Sequence, residues 1–186
     1  PARSGLGSSS SFTVGLLHGM AALRSETPSR ARLAQGAIWV EQHMLQETVG
    51  CQDQWLVAYG GLVRLTMNPL VSRYPLPDAV ATEISERILL VWTGRTRVAS
   101  VVAQSYVMPE TDGEALLSLA AMGVDALSSG QWNVFGRCIT RSWHVKRRLS
   151  PLIALPLADQ IIEAALDAGA DGAKLLGAGG GGYVLV

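Results

Sequence analysis

Gly5-Leu6-Gly7-Ser8-Ser9-Ser10-Ser11 runs without a break into Phe12-Thr13-Val14-Gly15-Leu16-Leu17-His18-Gly19-Met20-Ala21-Ala22-Leu23, and the reading of this join decides the fold. Phe12, Leu16, Gly19 and Leu23 recur at helical spacing, while Val14, Leu17 and Ala21 make the opposite side apolar as well. The spacing predicts a helix over 8–24 that is buried nearly all round. Glycines let a backbone approach an anion closely, and the N–H groups and positive dipole end of a helix favour phosphate. The serine hydroxyls can donate to phosphate or ligate Mg²⁺. A flexible Gly/Ser linker or an ordinary serine N-cap has a similar composition. A linker seldom runs straight into a wholly apolar helix, and this favours a phosphate loop. It is not a Walker A loop, because the Gly-Lys-Ser/Thr ending is absent.

Beyond this helix, Thr27-Pro28-Ser29 breaks the chain and a second helix is predicted over 29–47. Leu33, Ala37, Val40 and Met44 fall on one stripe, with Ala34, Ile38 and Leu45 on the next. Glu41 stands three residues after Ile38 and four before Leu45, so the helix points its carboxylate along an apolar stripe. A divalent cation is one natural partner for such a group; a lysine or arginine is the other. The segment 50–61 holds a turn and a short helical piece. Asp53, between Gln52 and Gln54, reads either as a helix N-cap or as the acidic member of a polar pocket. Residues 62–67 alternate like a strand. Pro69, Pro75 and Pro77 mark a loop, taken as the boundary between a lobe at 1–80 and a lobe at 81–186.

The second lobe opens on a strand at 88–92. Helices follow over 97–106, 112–128 and 131–149, the last with a Trp132, Phe135, Ile139, Trp143 stripe. Another spans 156–168, and Gly169 ends it where a C-cap glycine belongs. Gly177-Ala178-Gly179-Gly180-Gly181-Gly182 is no dinucleotide fingerprint. That motif follows a strand and opens a helix, whereas here the strand Tyr183-Val184-Leu185-Val186 comes next. A glycine-rich bend between two strands, close to another backbone or a ligand, fits better.

The 186 residues are 48% hydrophobic and 16% charged, which indicates a substantial core and excludes a disordered or fibrous chain. Fifteen basic residues cancel fifteen acidic ones, so there is no electrostatic footprint for nucleic acid or an anionic membrane. Cys51 and Cys138 are too few for a disulfide framework and lack metal-ligand spacing. They read as buried, reduced thiols of a cytoplasmic protein. No stretch approaches a membrane span. The chain starts at Pro1 and stops at Val186 inside a predicted strand, so it reads as a fragment.

Taken together, these residues resemble the GHMP kinase superfamily, whose members include galactokinase, homoserine kinase and mevalonate kinase. Pro1 to Ser9 match its second motif, a proline followed a few residues later by Gly-Leu-Gly-Ser-Ser, and Lys174 to Val186 match its third, a glycine-rich bend. Four segments resemble the D-glycero-D-manno-heptose 7-phosphate kinases and the related fucokinase domains. They are Val49-Gly50-Cys51-Gln52-Asp53-Gln54, Thr93-Gly94-Arg95-Thr96-Arg97-Val98-Ala99-Ser100, Lys146-Arg147-Arg148-Leu149-Ser150, and Lys174 through Gly182.

The resemblance implies an α+β fold in two lobes. The first would be an incomplete lobe like the second domain of ribosomal protein S5, and the second a ferredoxin-like lobe. The family's first motif, its N-terminal strands and its last strand or two are not found in this sequence. The implied activity is ATP-dependent transfer of a phosphoryl group to a hydroxyl of a sugar or sugar phosphate, with D-glycero-D-manno-heptose 7-phosphate as acceptor. A fucose- or galactose-type kinase and an inactive kinase fragment are the alternatives. By the same resemblance Gly5, Leu6, Gly7, Ser8, Ser9, Ser10, Gly179 and Gly180 would hold ATP. Ser9 and Glu41 would hold Mg²⁺. Asp53, twelve residues after Glu41 as in galactokinase-like members, would orient or deprotonate the sugar hydroxyl. Arg97, Lys146 and Arg147 would hold a substrate phosphate. Basic residues at a helix C-terminus also complement the dipole, which is the competing reading of Lys146–Arg148. Phosphoryl transfer asks a protein mainly to position groups and stabilise charge, so these parts suffice.

Overall fold

The computed structural model describes residues 4–67 and 70–186; Pro1 of the proline–glycine motif and Pro69 lie outside the described residues. Helix α1 (Ser8–Leu23) opens where Gly7 adopts a left-handed φ of 67°. Helix α2 (Arg30–Trp39) is capped by Ser29, whose side chain accepts from the Arg32 N–H. The same helix then passes into a π-helical turn, Val40–Met44. Helix α3 (Gln52–Tyr59) follows, and Gly60 ends it. These helices share a small core of Val14, Leu33 and Ala37, with Leu17, Val57 and Ala58 against it.

The expectation that α1 is buried nearly all round is overturned. Only Ser10, Thr13 and Val14 of this helix are buried, while Phe12 is 72% exposed and Leu23 90%. The packing partners of α1 among the described residues are α2, α3 and the π turn. One side is covered and the other apolar side is not.

Strand β1 (Val63–Met67) pairs antiparallel with β2 (Val71–Pro75), Val63 facing Pro75 and Met67 facing Val71. Strand β2 and helix α4 (Asp78–Arg87) occupy a stretch expected to be loop. The prolines there are not evidence against structure: Pro75 is the last residue of a strand and Pro77 the N-cap of a helix. Both positions tolerate a missing N–H.

The remainder is built from β3 (Leu90–Trp92), α5 (Ala99–Gln104), α6 (Glu110–Ser128), α7 (Trp132–Lys146), α8 (Pro156–Asp167), β4 (Lys174–Leu175) and β5 (Tyr183–Leu185). The strands form one antiparallel sheet in the order β3-β5-β4. Leu89 and Val186 exchange backbone hydrogen bonds of 2.9 Å just outside the strand ends. Gly169, at φ 98°, follows the end of α8 as the sequence predicted. Helix α6 packs along α7. Trp143 of α7, Ile153, Leu175 and Val184 are fully buried and centre a core of ten residues.

The protein is α+β, with 56% of the described residues helical and small sheets. Cys138 is buried as expected, whereas Cys51 is only half-buried; both are free thiols. Among the described residues no helix is long and apolar enough to cross a membrane.

Candidate active site

The loop that opens α1 sits at the centre of the site. Gly7 occupies the N-cap position and supplies no side-chain cap to the first turn of α1. Beneath this turn lies Glu41, only 1% exposed. Its Oε2 accepts from Ser10 Oγ at 3.2 Å and from the Gln54 side-chain amide. Its Oε1 has no hydrogen-bond partner among the described residues. A π turn widens the helix by one residue locally. Glu41 is buried within it, while Met44 and Leu45, expected on apolar stripes, are 61% and 59% exposed.

A buried carboxylate oxygen without a donor suits a divalent cation, and Glu41 therefore fits a Mg²⁺ ligand. Among the described residues no group of three or more His, Cys, Asp or Glu could hold a metal. Mg²⁺ at Glu41 would thus complete its shell from water and phosphate oxygens, as it commonly does. Ser10, not Ser9, is the serine bonded to Glu41. Ser10 shares the buried face of α1 with Thr13 and Val14, while Ser9 is exposed.

Asp53 is the second residue of α3 and is not the N-cap, which is Cys51. Its carboxylate lies across the loop: a Cβ on Gly7 would stand 3.7 Å from Asp53 Oδ2. Burial pushes its pKa up, and Arg97 and Lys146 pull part of that back. Arg97 Nε donates to the Gly179 carbonyl at 2.8 Å. A Cβ on Gly5 would lie 3.0 Å from Arg97 Nη2, so the guanidinium sits at the junction of the loop and the bend. Lys146 Nζ donates to the Gly177 carbonyl. Burial, then Lys174 and Arg97, push its pKa down to about 8, with Asp53 working the other way. Lys174, lowered by burial, donates to Ser142 Oγ at 3.3 Å. Two cations, Arg97 and Lys146, thus neighbour the Asp53 carboxylate, and Lys174 stands behind Lys146.

Arg147 does not join them. It pairs with Asp159 at 3.0 Å, and Arg148 with Asp112 at 2.7 Å. Each residue of a helix turns about 100° from the last, so neighbours at the end of α7 cannot share one target. Gly179 and Gly180 lie in the bend, packed on Ile153 and the Leu152 carbonyl; the Gly180 N–H donates to Ile153 O at 2.9 Å. Sequence reasoning missed Gln54 as the partner of Glu41, although its place beside Asp53 had marked a polar pocket. It also missed Lys174 and Tyr106, whose hydroxyl donates to the Ala178 carbonyl at 2.5 Å. No spacing connects these to the loop; only the fold does.

Residues 1–61 match the family model "GHMP kinases N terminal domain" and residues 124–186 "GHMP kinases C terminal". The chain is 26% identical to a D-glycero-alpha-D-manno-heptose 7-phosphate kinase of Campylobacter jejuni, over 99% of this chain and 57% of that protein. It is 28% identical to a bifunctional fucokinase/GDP-fucose pyrophosphorylase of Arabidopsis thaliana, over 100% of this chain and 19% of that protein. The chain therefore spans little more than half of the first relative and a fifth of the second. In fold it is similar to Lactococcus lactis galactokinase complexed with galactose, with a TM-score of 0.77 and 18% identity over 100% of this chain and 58% of that one. With both terminal models of one family matched in order, on a fold shared with its solved structures, the chain belongs to the GHMP kinase family.

Proposed function

We propose that this chain carries the phosphate loop and the acceptor carboxylate of an ATP-dependent kinase acting on a hydroxyl of a sugar phosphate. The acceptor is of the D-glycero-D-manno-heptose 7-phosphate type, and the enzyme works in the cytoplasm. The observation that supports this most is the position of Asp53: it stands against Gly7 of the loop with Arg97 and Lys146 as its charged neighbours. The loop, Ser8, Ser9 and Ser10 hold the nucleotide phosphates, with Gly179 and Gly180 closing on them from the bend. Mg²⁺, when bound at Glu41, neutralises charge on the phosphates. Asp53 orients the acceptor hydroxyl and accepts its proton, a task suited to a carboxylate whose pKa burial has raised.

The cations neighbouring Asp53 outnumber it, and this surplus favours an acceptor that brings its own anion. Each keeps donors beyond the one given to a carbonyl. The lobe boundary expected at residues 80 and 81 falls within helix α4 and not in a loop. ADP release by the full-length protein, measured with ATP and heptose 7-phosphate, fucose or galactose in turn, tests the proposal. Turnover favouring the phosphorylated sugar is expected. Preference for free fucose or galactose would overturn the acceptor assignment, and silence with every sugar would overturn the kinase reading.

A further inference from the structure

Three consecutive carbonyls of the glycine bend are each taken by a side-chain donor from a different part of the fold. Gly177 O accepts from Lys146 at the end of α7, Ala178 O from the Tyr106 hydroxyl just after α5, and Gly179 O from Arg97 just before α5. We propose that Arg97, Tyr106 and Lys146 form a clamp that positions the glycine bend, and through it the phosphate loop. The proposal rests on the nucleotide-binding reading above.

A bend of this composition cannot set its own shape. Gly177, Gly179 and Gly180 have φ of 63°, 102° and 71°, and glycine loses more freedom on being fixed than any other residue. The far end of the bend is held by other means. Gly182 O accepts from both the hydroxyl and the N–H of Thr93, and Gly182 N–H donates to Arg95 O. The near end, 177–179, has the clamp. That end touches the loop directly: a Cβ on Gly177 would fall 2.7 Å from Gly5 Cα. If the near end shifts, Gly5 must shift with it, and the loop loses its register on a phosphate.

Tyr106 is the cleanest probe, because it carries no charge and its hydroxyl donates to the Ala178 carbonyl, with Arg97 of the same clamp as its charged neighbour. In the full-length protein, binding of a non-hydrolysable ATP analogue is titrated calorimetrically without sugar. Tyr106→Phe keeps the ring, and is expected to weaken nucleotide binding about five- to tenfold, the worth of one hydrogen bond. The KM for ATP should rise by the same factor while the KM for sugar stays within twofold. Lys146→Met should also weaken nucleotide binding and Lys146→Arg, which keeps a charged donor, should restore most of it. Unchanged binding in both Tyr106→Phe and Lys146→Met, with the parent protein binding normally, would overturn the clamp and leave the kinase reading standing. Failure of the parent protein itself to bind the analogue would overturn the nucleotide reading instead.

Discussion

The α1–α3 helices and the sheet-bearing C-terminal part divide the work of this protein unequally. The first group has a core of three buried residues, Val14, Leu33 and Ala37. The second has ten, including the fully buried Trp143, Ile153, Leu175 and Val184. Yet the three-residue core carries the buried carboxylate, the proposed phosphate loop and Asp53, while the larger part of the chain supplies the cations Arg97 and Lys146 that neighbour Asp53. Stability resides mainly where the chemistry does not, and this can be tested from both directions.

The largest effect expected is on turnover. Asp53→Asn in the full-length protein should lower kcat by about 10²–10⁴-fold, since it removes the proposed proton acceptor and keeps the shape. Nucleotide affinity and melting temperature should hardly change. A mild loss of kcat at saturating sugar would reduce Asp53 to a first-turn charge complementing the helix dipole.

Trp143→Ala is the reverse case. It should cost about 3–5 kcal/mol in urea unfolding, because a large side chain leaves a closed cavity. Leu33→Ala should fall near the low end of the roughly 2–5 kcal/mol seen for such truncations, because the exposed α1 side lets its neighbours relax. Equal costs would show that the two cores are equally tight.

Glu41→Gln should raise the Mg²⁺ midpoint for activity by roughly tenfold, in the range seen when metal ligation is disturbed. An unchanged midpoint with a lower melting temperature would make Glu41 a structural acceptor for Ser10 and Gln54 only.

The smallest effect is electrostatic. Lys146 titrates at about 8 in the folded protein and near its ordinary 10.5 when unfolded. Between those values the unfolded chain holds a proton that the folded one has released. Stability from this group therefore rises with pH, by about 1 kcal/mol per pH unit. Wild type should gain on Lys146→Met between pH 7 and pH 9.5 in unfolding titrations. A constant difference would mean that the Lys146 ammonium is better solvated than its burial implies.

Much of the α+β order is legible in the sequence. Ser29 announced the start of α2, Gly169 the end of α8, and the strand after Gly177–Gly182 excluded a dinucleotide fold. These are local signals, written in caps and backbone freedom. Strand β2 and helix α4 were hidden by Pro75 and Pro77, which mark element ends as readily as loops. The apolar circumference of α1 was misread for a deeper reason: composition says what a surface would bury, and only neighbours say whether it does.

The sequence by itself determined that a glycine–serine loop starts an apolar helix, that Glu41 lies on a helix and that Asp53 sits between glutamines, because each depends on residues a few positions apart. Tertiary structure alone decided the rest. The π turn selects which side of its helix Glu41 faces, Ser10 is the serine that bonds to it, and Arg147 pairs with Asp159. Arg97, Tyr106 and Lys146 meet at three adjoining carbonyls from positions between 72 and 82 residues away for two of them and 31 for the third. No local propensity encodes such a meeting; it exists only once α5, α7 and the sheet have packed.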